Sequence, residues 1–239
     1  MTQAPVSHNA IAIGIVGDFS ADFAPHVATS AALEHAAAAL GISIDSRWIA
    51  TDSICDLPES ELARFDGWMI APGSPYESME GALRVIRFAR ERKIPLFGAC
   101  GGLQHMIIEF ARHVMGYADA THAEYDPNGS TLFITPLSCS LAGKKMQVSI
   151  SPRSRAAAAY WRLQSTERYY CNFGLNPAWQ EQLHAAGLRV MGTDADGEAR
   201  ILEIPEHRFF LGTLFVPQML SKPGAPHPLI VAFLQAAAR

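Results

Sequence analysis

The first half of the chain alternates short apolar runs with segments whose apolar residues recur at helical spacing. The apolar runs have the length and composition of strands that are buried on both faces of a sheet. These predicted strands are Ile11–Val16, Ile42–Ile49, Trp68–Ala71 and Ile94–Phe97. The predicted helices between and after them are Val27–Leu40, Leu57–Arg64, Met79–Ala89 and Leu103–Val114.

The second half has a less regular pattern. Asn176 is a candidate helix cap and Gly187 a candidate helix stop, so a helix is predicted over Pro177–Ala186. The Ala156–Ala159 run has no clear assignment, and a closing helix is predicted over Leu229–Ala238. The remaining apolar runs predict strands at Thr131–Ile134, Met146–Ile150 and Tyr169–Phe173, and a meander of Leu188–Met191, Ala199–Ile204 and Phe209–Phe215.

Strands that alternate with helices predict an α/β fold with a doubly wound, mostly parallel sheet, flanking helices and a C-terminal β-meander. No repeat, linker or low-complexity tract interrupts the pattern, so residues 1–239 are predicted to form a single domain. Ligands of such sheets bind at the carboxyl ends of the strands. Gly73-Ser74 and Cys100 both fall at such ends.

Composition narrows the function classes. The 239 residues are 49% hydrophobic and 18% charged, with a net charge of −4 and no long run of either sign, which does not fit a nucleic-acid-binding surface. No apolar stretch reaches membrane-spanning length, and Met1–Ala10 does not resemble a secretory signal. The four cysteines match no zinc-site spacing. We therefore expect a cytoplasmic chain with reduced thiols, a small-molecule substrate and no cofactor, metal, nucleic acid or membrane partner.

Cys100 lies in Gly98-Ala99-Cys100-Gly101-Gly102, between a predicted strand and a predicted helix. A turn of small residues at this place is typical of a nucleophile elbow. The free N–H groups at the start of the helix favour a thiolate and could stabilise an oxyanion. The alternative is a buried cysteine that serves only as a small apolar side chain.

Further stretches form a pattern together with the Cys100 turn. They are Ala71–Ser74, Met79–Gly81, Ile86–Glu91, Ile94–Pro95, Gly98–Gln104, Ile108–Arg112, Thr121–Pro127 and Pro226–Ile230. In this order they resemble the class I glutamine amidotransferase family, and within it the C-terminal amidotransferase domain of CTP synthases. The resemblance implies a flavodoxin-like fold. A synthetase half is missing, so we expect a stand-alone domain and not a complete CTP synthase.

The resemblance also implies roles for individual residues. Cys100 takes the position of the nucleophile that attacks the glutamine amide, and Gly102 contributes to the oxyanion site. Gln104 and Glu124 match positions that line the glutamine pocket. Ser74 replaces a glycine that touches the substrate.

Two departures from the family pattern fall on the glutamine reaction. The family's Phe-His-Pro-Glu run reads Phe-Val-Pro-Gln here, so Val216 replaces the catalytic base and Gln218 replaces the glutamate that orients it. Losing a general base costs about 10²–10⁴ in rate. Asn172 replaces the arginine that pairs with the glutamine carboxylate, which costs roughly ten- to a hundred-fold in binding.

Other candidates follow if the resemblance places the side chains correctly. His122 is the first candidate for a replacement base, since its ordinary pKa suits neutral pH; the alternative is a loop histidine without a role. Tyr169 and Tyr170 would alternate across a strand, so that only one faces the pocket. Cys171 is either a resolving thiol for Cys100 or a metal ligand together with Cys100, His122 and Glu124.

Three functions remain open on these grounds. The first is cysteine-dependent chemistry on a small amide-, amidine- or nitrile-type substrate other than free glutamine. The second is a catalytically silent relative that binds a metabolite or a protein partner and regulates. The third is a weak glutaminase that serves a separate synthetase. A homodimer is compatible with each of them.

Overall fold

A computed structural model describes residues 10–239, so Met1–Asn9, and with them most of the segment tested for a secretory signal, lie outside the described residues. The helices are α1 (Ala24–Leu40), α2 (Glu59–Leu62), α3 (Met79–Arg92), α4 (Gly101–His113), α5 (Arg155–Tyr160), α6 (Gln180–Ala186) and α7 (Pro228–Ala237). The strands are β1 (Ile11–Val16), β2 (Ile44–Ile49), β3 (Gly67–Ile70), β4 (Leu96–Ala99), β5 (Ala120–His122), β6 (Thr131–Pro136), β7 (Lys145–Ile150), β8 (Gln164–Arg168), β9 (Phe173–Leu175), β10 (Arg189–Thr193), β11 (Ala199–Glu203) and β12 (Phe210–Thr213). Within residues 10–239 no helix is both long and apolar enough to cross a membrane.

Nine strands form the main sheet, in the order β2-β1-β3-β4-β12-β11-β10-β7-β8. The strands from β2 to β12 in this order are all parallel to one another. From β12 to β8 each neighbouring pair is antiparallel. The predicted α/β fold is confirmed, and the predicted meander is β10-β11-β12, which joins the parallel strands through β12 and β4.

Helices cover both faces of the sheet. The chain passes from β1 outward to β2 through α1, and from β3 in the opposite direction to β4 through α3. Right-handed crossovers in opposite directions place their helices on opposite faces. Helix α7 packs against α1, and α4 packs against α3, so each face carries a pair of long helices. The strand order reverses beside β1 and β3, and the turn after β4 lies close to this switch.

Two glycines let α4 approach the sheet closely. Gly98 and Gly212 are paired neighbours on β4 and β12. A Cβ atom at Gly98 would collide with Met106 Sδ, and one at Gly212 would lie 2.6 Å from Leu103 Cδ1. Because these positions carry no side chain, the first turns of α4 rest directly on the two central strands, and the turn at Cys100 is tightly packed.

The sequence pattern misplaced some elements of the second half. The predicted strand Tyr169–Phe173 is wrong: β8 ends at Arg168, and β9 starts at Phe173. The intervening residues instead bond to the 137–144 loop, for example through Tyr169 N–H to the Lys144 carbonyl and Gly143 N–H to the Tyr169 carbonyl. The Ala156–Ala159 run belongs to α5, and a second sheet, β5-β6-β9, was not predicted. These pairings are between distant segments, which a local pattern does not encode.

Candidate functional site

Cys100 forms the turn between β4 and α4. Its backbone has φ 53° and ψ −111°, a conformation that non-glycine residues rarely adopt, and its N–H donates to the Thr213 carbonyl at 2.8 Å. Such a conformation costs on the order of 1–3 kcal/mol and persists only where the surrounding structure holds it. The strand, strained turn and helix match the geometry of a nucleophile elbow.

The first turn of α4 packs directly against two backbone segments, because its residues Gly101 and Gly102 carry no side chains. A Cβ atom at Gly101 would collide with the Gly73 carbonyl, and one at Gly102 with the Ile70 carbonyl. The turn that carries Ser74 therefore lies beside the elbow, as predicted. The first intrahelical bond runs from Gln104 N–H to the Cys100 carbonyl, so the N–H groups of residues 101–103 have no acceptor within the helix.

Cys171 is the side chain that meets Cys100. The structure pairs the two sulfurs, and the 6.2 Å separation of their Cα atoms is within the range of a disulfide. Cys100 is 7% and Cys171 2% exposed, and Cys171 Sγ lies 2.9 Å from the Leu214 carbonyl oxygen. In residues 10–239 no group of three or more histidine, cysteine or acidic side chains could hold a metal ion. The pairing favours the resolving-thiol alternative for Cys171 over the metal-ligand alternative.

The segment after β12 carries Val216 and Gln218, the two positions predicted to replace the triad base and its orienting acid. β12 ends at Thr213, opposite Ala99, so the chain from Leu214 onward runs past the elbow. Val216 is fully buried, and its N–H donates to the Arg168 carbonyl at 2.8 Å. Gln218 is also buried; its Nε2 donates to Thr29 Oγ1 at 3.3 Å, while its buried Oε1 has no partner among the described residues. Neither side chain can accept a proton from a thiol.

His122 lies in a buried hydrogen-bond chain. Its Nδ1 accepts from Glu124 N–H at 3.0 Å, so Nε2 carries the proton and donates to Gln104 Oε1 at 3.1 Å. Gln104 Nε2 in turn donates to the Phe173 carbonyl at 2.9 Å. Both ring nitrogens of His122 are occupied, and burial lowers its pKa to about 3. That His122 acts as the base stays a prediction that these contacts disfavour, and Gln104 joins α4 to β9 instead of projecting freely into a pocket.

His105 lies in a second chain below the elbow. Its Nδ1 donates to the Gly101 carbonyl at 2.7 Å, and its Nε2 accepts from Tyr125 Oη at 3.0 Å. Tyr125 Oη also accepts from Tyr76 N–H. Burial lowers the His105 pKa to about 4. This chain fixes the 122–125 loop between the Ser74 turn and α4; sequence reasoning missed Tyr76 and Tyr125, although Tyr125 lies inside a stretch that resembles the family.

We expect the two buried histidines to make stability fall in mild acid. Above the unfolded pKa of 6.5 both states hold neutral rings, and their full contribution to stability is present. As the pH falls from about 6.5 towards 4, His105 and His122 become protonated in the unfolded chain but stay neutral in the folded chain. Each ring can then remove up to about 1.4 kcal/mol of unfolding free energy per pH unit. Urea unfolding at a series of pH values measures this slope.

His122→Asn tests the assignment, because the asparagine Oδ1 can still accept from Glu124 N–H but does not titrate. The slope should become shallower by up to about 1.4 kcal/mol per pH unit. His184→Asn, at an exposed position, is the matched control and should keep the original slope. Equal slopes in the two variants would contradict a buried neutral His122.

The remaining candidates differ in what they offer a ligand. Glu124 is half-buried, and its buried Oε2 has no hydrogen-bond partner in residues 10–239. Asn172 is exposed, and its Oδ1 accepts from Ser140 Oγ at 2.6 Å. Tyr170 is half-buried, with the Arg168 guanidinium 5.6 Å from its ring centre, while Tyr169 is fully buried. Of the two tyrosines, only Tyr170 is accessible.

Three comparisons with known proteins give one result. The family described as Glutamine amidotransferase class-I matches residues 26–236. A CTP synthase of Acidobacterium capsulatum is 36% identical over 239 residues, which are 95% of this chain and 43% of that protein. A CTP synthase of Methanothermobacter thermautotrophicus is 35% identical over 95% of this chain and 44% of its own length. The chain thus spans less than half the length of the curated relatives it matches.

A solved structure is also similar. The glutaminase domain of Trypanosoma brucei CTP synthase, with bound acivicin, superimposes with a TM-score of 0.87 at 26% identity. The match covers 96% of this chain and 94% of that one. The resemblance read from the sequence motifs therefore extends over the three-dimensional structure.

Proposed function

The chain belongs to the class I glutamine amidotransferase family, and we propose that it performs cysteine-dependent chemistry on a small amide-, amidine- or nitrile-type substrate other than free glutamine. Cys100 is the nucleophile. Ser74, Gly102, Glu124 and Tyr170 are the groups proposed to contact the substrate.

The observation that carries the proposal is the strained backbone of Cys100 at the start of α4. A cysteine that served packing alone would have no need of a conformation costing about 1–3 kcal/mol. The turn places Cys100 at the N-terminus of α4, beside N–H groups that lack helix partners. Such groups favour a thiolate and can bind a developing oxyanion. For an amide, the thiolate attacks the carbonyl carbon, ammonia leaves with a proton from water, and water hydrolyses the resulting thioester.

Free glutamine is a poor fit to this site. Val216 and Gln218 stand where the family has its base and orienting acid, and His105 and His122 have both ring nitrogens occupied. At position 172 an asparagine replaces the arginine that would pair with the glutamine carboxylate. A weak glutaminase working with a separate synthetase therefore ranks last among the three functions.

The side chains that remain favour a substrate with a cationic amine and without a neighbouring carboxylate. Glu124 offers a carboxylate with an unpartnered, buried oxygen. We expect decarboxylated glutamine, 4-aminobutanamide, to protect reduced Cys100 from iodoacetamide at lower concentrations than glutaramate, which keeps the carboxylate but lacks the amine. Glu124→Gln should weaken that protection about ten- to a hundred-fold, because a charge-assisted hydrogen bond is lost.

Asp126→Asn is the matched control, since Asp126 is an exposed carboxylate on the same loop. It should leave protection unchanged. Stronger protection by glutaramate would contradict the proposed substrate class. It would instead indicate that Arg168 binds the carboxylate of the ligand. If reduced Cys100 does not react with iodoacetamide at all, the nucleophile itself is refuted.

A catalytically silent, ligand-binding relative is the second candidate. The pairing of Cys100 with Cys171 and the burial of both sulfurs favour it, because a blocked thiol cannot attack a substrate. A single variant, Cys100→Ala, distinguishes the two candidate functions. Cys100→Ala abolishes any substrate turnover if the first is right, and leaves ligand binding and the cellular phenotype intact if the second is right. Both candidate functions are compatible with a synthetase partner and with a homodimer.

A further inference from the structure

A cavity of about 260 Å³ lies at the opposite end of the sheet from Cys100. Phe209, which immediately precedes β12, forms part of its wall, and the Phe209 carbonyl accepts from Leu96 N–H at the start of β4. Cys100 follows the other end of β4. The cavity is therefore separated from the elbow by the length of the central strands and belongs to no part of the site described above.

The wall of this cavity is basic. Three arginines line it, Arg155, Arg208 and Arg239, and no acidic side chain does. The rest of the lining consists of Phe209, Gln235 and alanines of α5 and α7. Arg208 and Arg239 form no ion pair within residues 10–239. Guanidinium groups without an ion pair on a concave surface, as at Arg208 and Arg239, attract an anion.

The side chain of Arg155 and the backbone around Arg208 are held in place. Arg155 donates from Nη2 to the carbonyls of Pro205 and His207, while its buried Nε has no partner among the described residues. His207, which precedes Arg208, is itself fixed, since its ring contacts the Ala89 carbonyl and accepts from Phe209 N–H. The turn that presents Arg208 is therefore rigid, and an incoming anion would not have to order the backbone.

In the described part of the chain, the nearby acidic side chains do not pair with Arg208 or Arg239. Glu206 is directed to Arg189, 3.4 Å away. Glu203 accepts from Arg155 N–H, and burial raises its pKa. Neither carboxylate lines the cavity.

We propose that this cavity is a binding site for a small phosphate-bearing anion. Guanidinium groups match phosphate oxygens in bidentate geometry. Gln235 adds an amide donor at the rim, and the alanines and Phe209 provide an apolar floor for the body of the ligand. The site is independent of the chemistry proposed at Cys100.

Titration calorimetry with inorganic phosphate and pyrophosphate, on the full chain at low salt, tests the site. Pyrophosphate should bind saturably, more tightly than phosphate, and more weakly as salt rises. Arg208→Gln should weaken the affinity about ten- to a hundred-fold, because one charge-assisted contact is lost. Arg208 makes its contribution from an exposed position, so this variant should fold normally.

Arg153→Gln is the matched control, an exposed arginine two residues before Arg155 and outside the lining. It and Cys100→Ala should bind pyrophosphate as the unaltered chain does. The proposal is overturned if pyrophosphate shows no saturable binding, if Arg208→Gln and Arg153→Gln weaken it equally, or if citrate binds as tightly as pyrophosphate. Equal binding of citrate would show that the site binds polyanions in general and does not select phosphate groups.

Discussion

Restoring the histidine and glutamate of the family triad is expected to create glutamine hydrolysis. The double variant Val216→His with Gln218→Glu should release ammonia from glutamine about 10²–10⁴-fold faster than the unaltered chain, which is the usual contribution of a general base. Both positions follow β12, whose last residue is paired with the residue before Cys100. The new imidazole would thus stand on the segment that runs past the thiol, and the new carboxylate would orient it.

Affinity for glutamine requires a second change. Adding Asn172→Arg should lower the glutamine concentration for half-maximal rate roughly ten- to a hundred-fold, since an arginine can pair with the substrate carboxylate. Coupled ammonia assays in the presence of reductant measure both effects, because Cys100 must be free of Cys171.

Controls separate catalysis from misfolding. Val216→Leu changes volume without supplying a base and should remain inactive. Val216 is fully buried, so histidine there can cost about 1–3 kcal/mol of stability, and a melting curve must show that the variant is folded. A folded, reduced triple variant without ammonia release, or an activity that survives Cys100→Ala, would refute the assignment of positions 216 and 218.

Reactivity of Cys100 should switch on and off with its pairing to Cys171. In protein purified in air without reductant, we expect iodoacetamide to modify the exposed Cys55 and Cys139 but to leave Cys100 almost untouched. A sulfur held in a disulfide has no thiolate to alkylate. Cys171→Ser should make Cys100 fully reactive without any reductant. Peptide mass spectrometry gives the modified fraction at each cysteine.

Cys139→Ser serves as the control, since Cys139 is exposed and lies on the loop that bonds to residues 169–172. Its loss should leave Cys100 protected. Adding dithiothreitol to the unaltered chain should reproduce the Cys171→Ser result. Rapid alkylation of Cys100 in the unreduced, unaltered chain would show that the two sulfurs do not pair in solution, and the silent-relative candidate would lose its main support.

Much of the site was readable from the sequence because it is local. The elbow is encoded by five consecutive residues around Cys100, and the parallel half of the sheet by apolar runs that each specify one element. The replacements predicted at Val216, Gln218 and Asn172 rest on the resemblance of the surrounding motifs to the family pattern. The elbow and the parallel strands need only neighbours along the chain, whereas the replaced positions need a comparison with the family pattern.

Contacts between distant segments decided the rest. Residues 169–172 look like a strand, but they bond to the 137–144 loop, and this arrangement brings Cys171 against Cys100. The role of His122 depends on Glu124 N–H at one ring nitrogen and on Gln104 at the other. Burial, with a smaller contribution from His105, lowers its pKa, and hydrogen bonds occupy both of its ring nitrogens. These contacts arise only when α4, β5 and β9 come together. The sequence by itself determined which chemical groups are present and which elements carry them, whereas only the tertiary structure decided which of those groups are free to react.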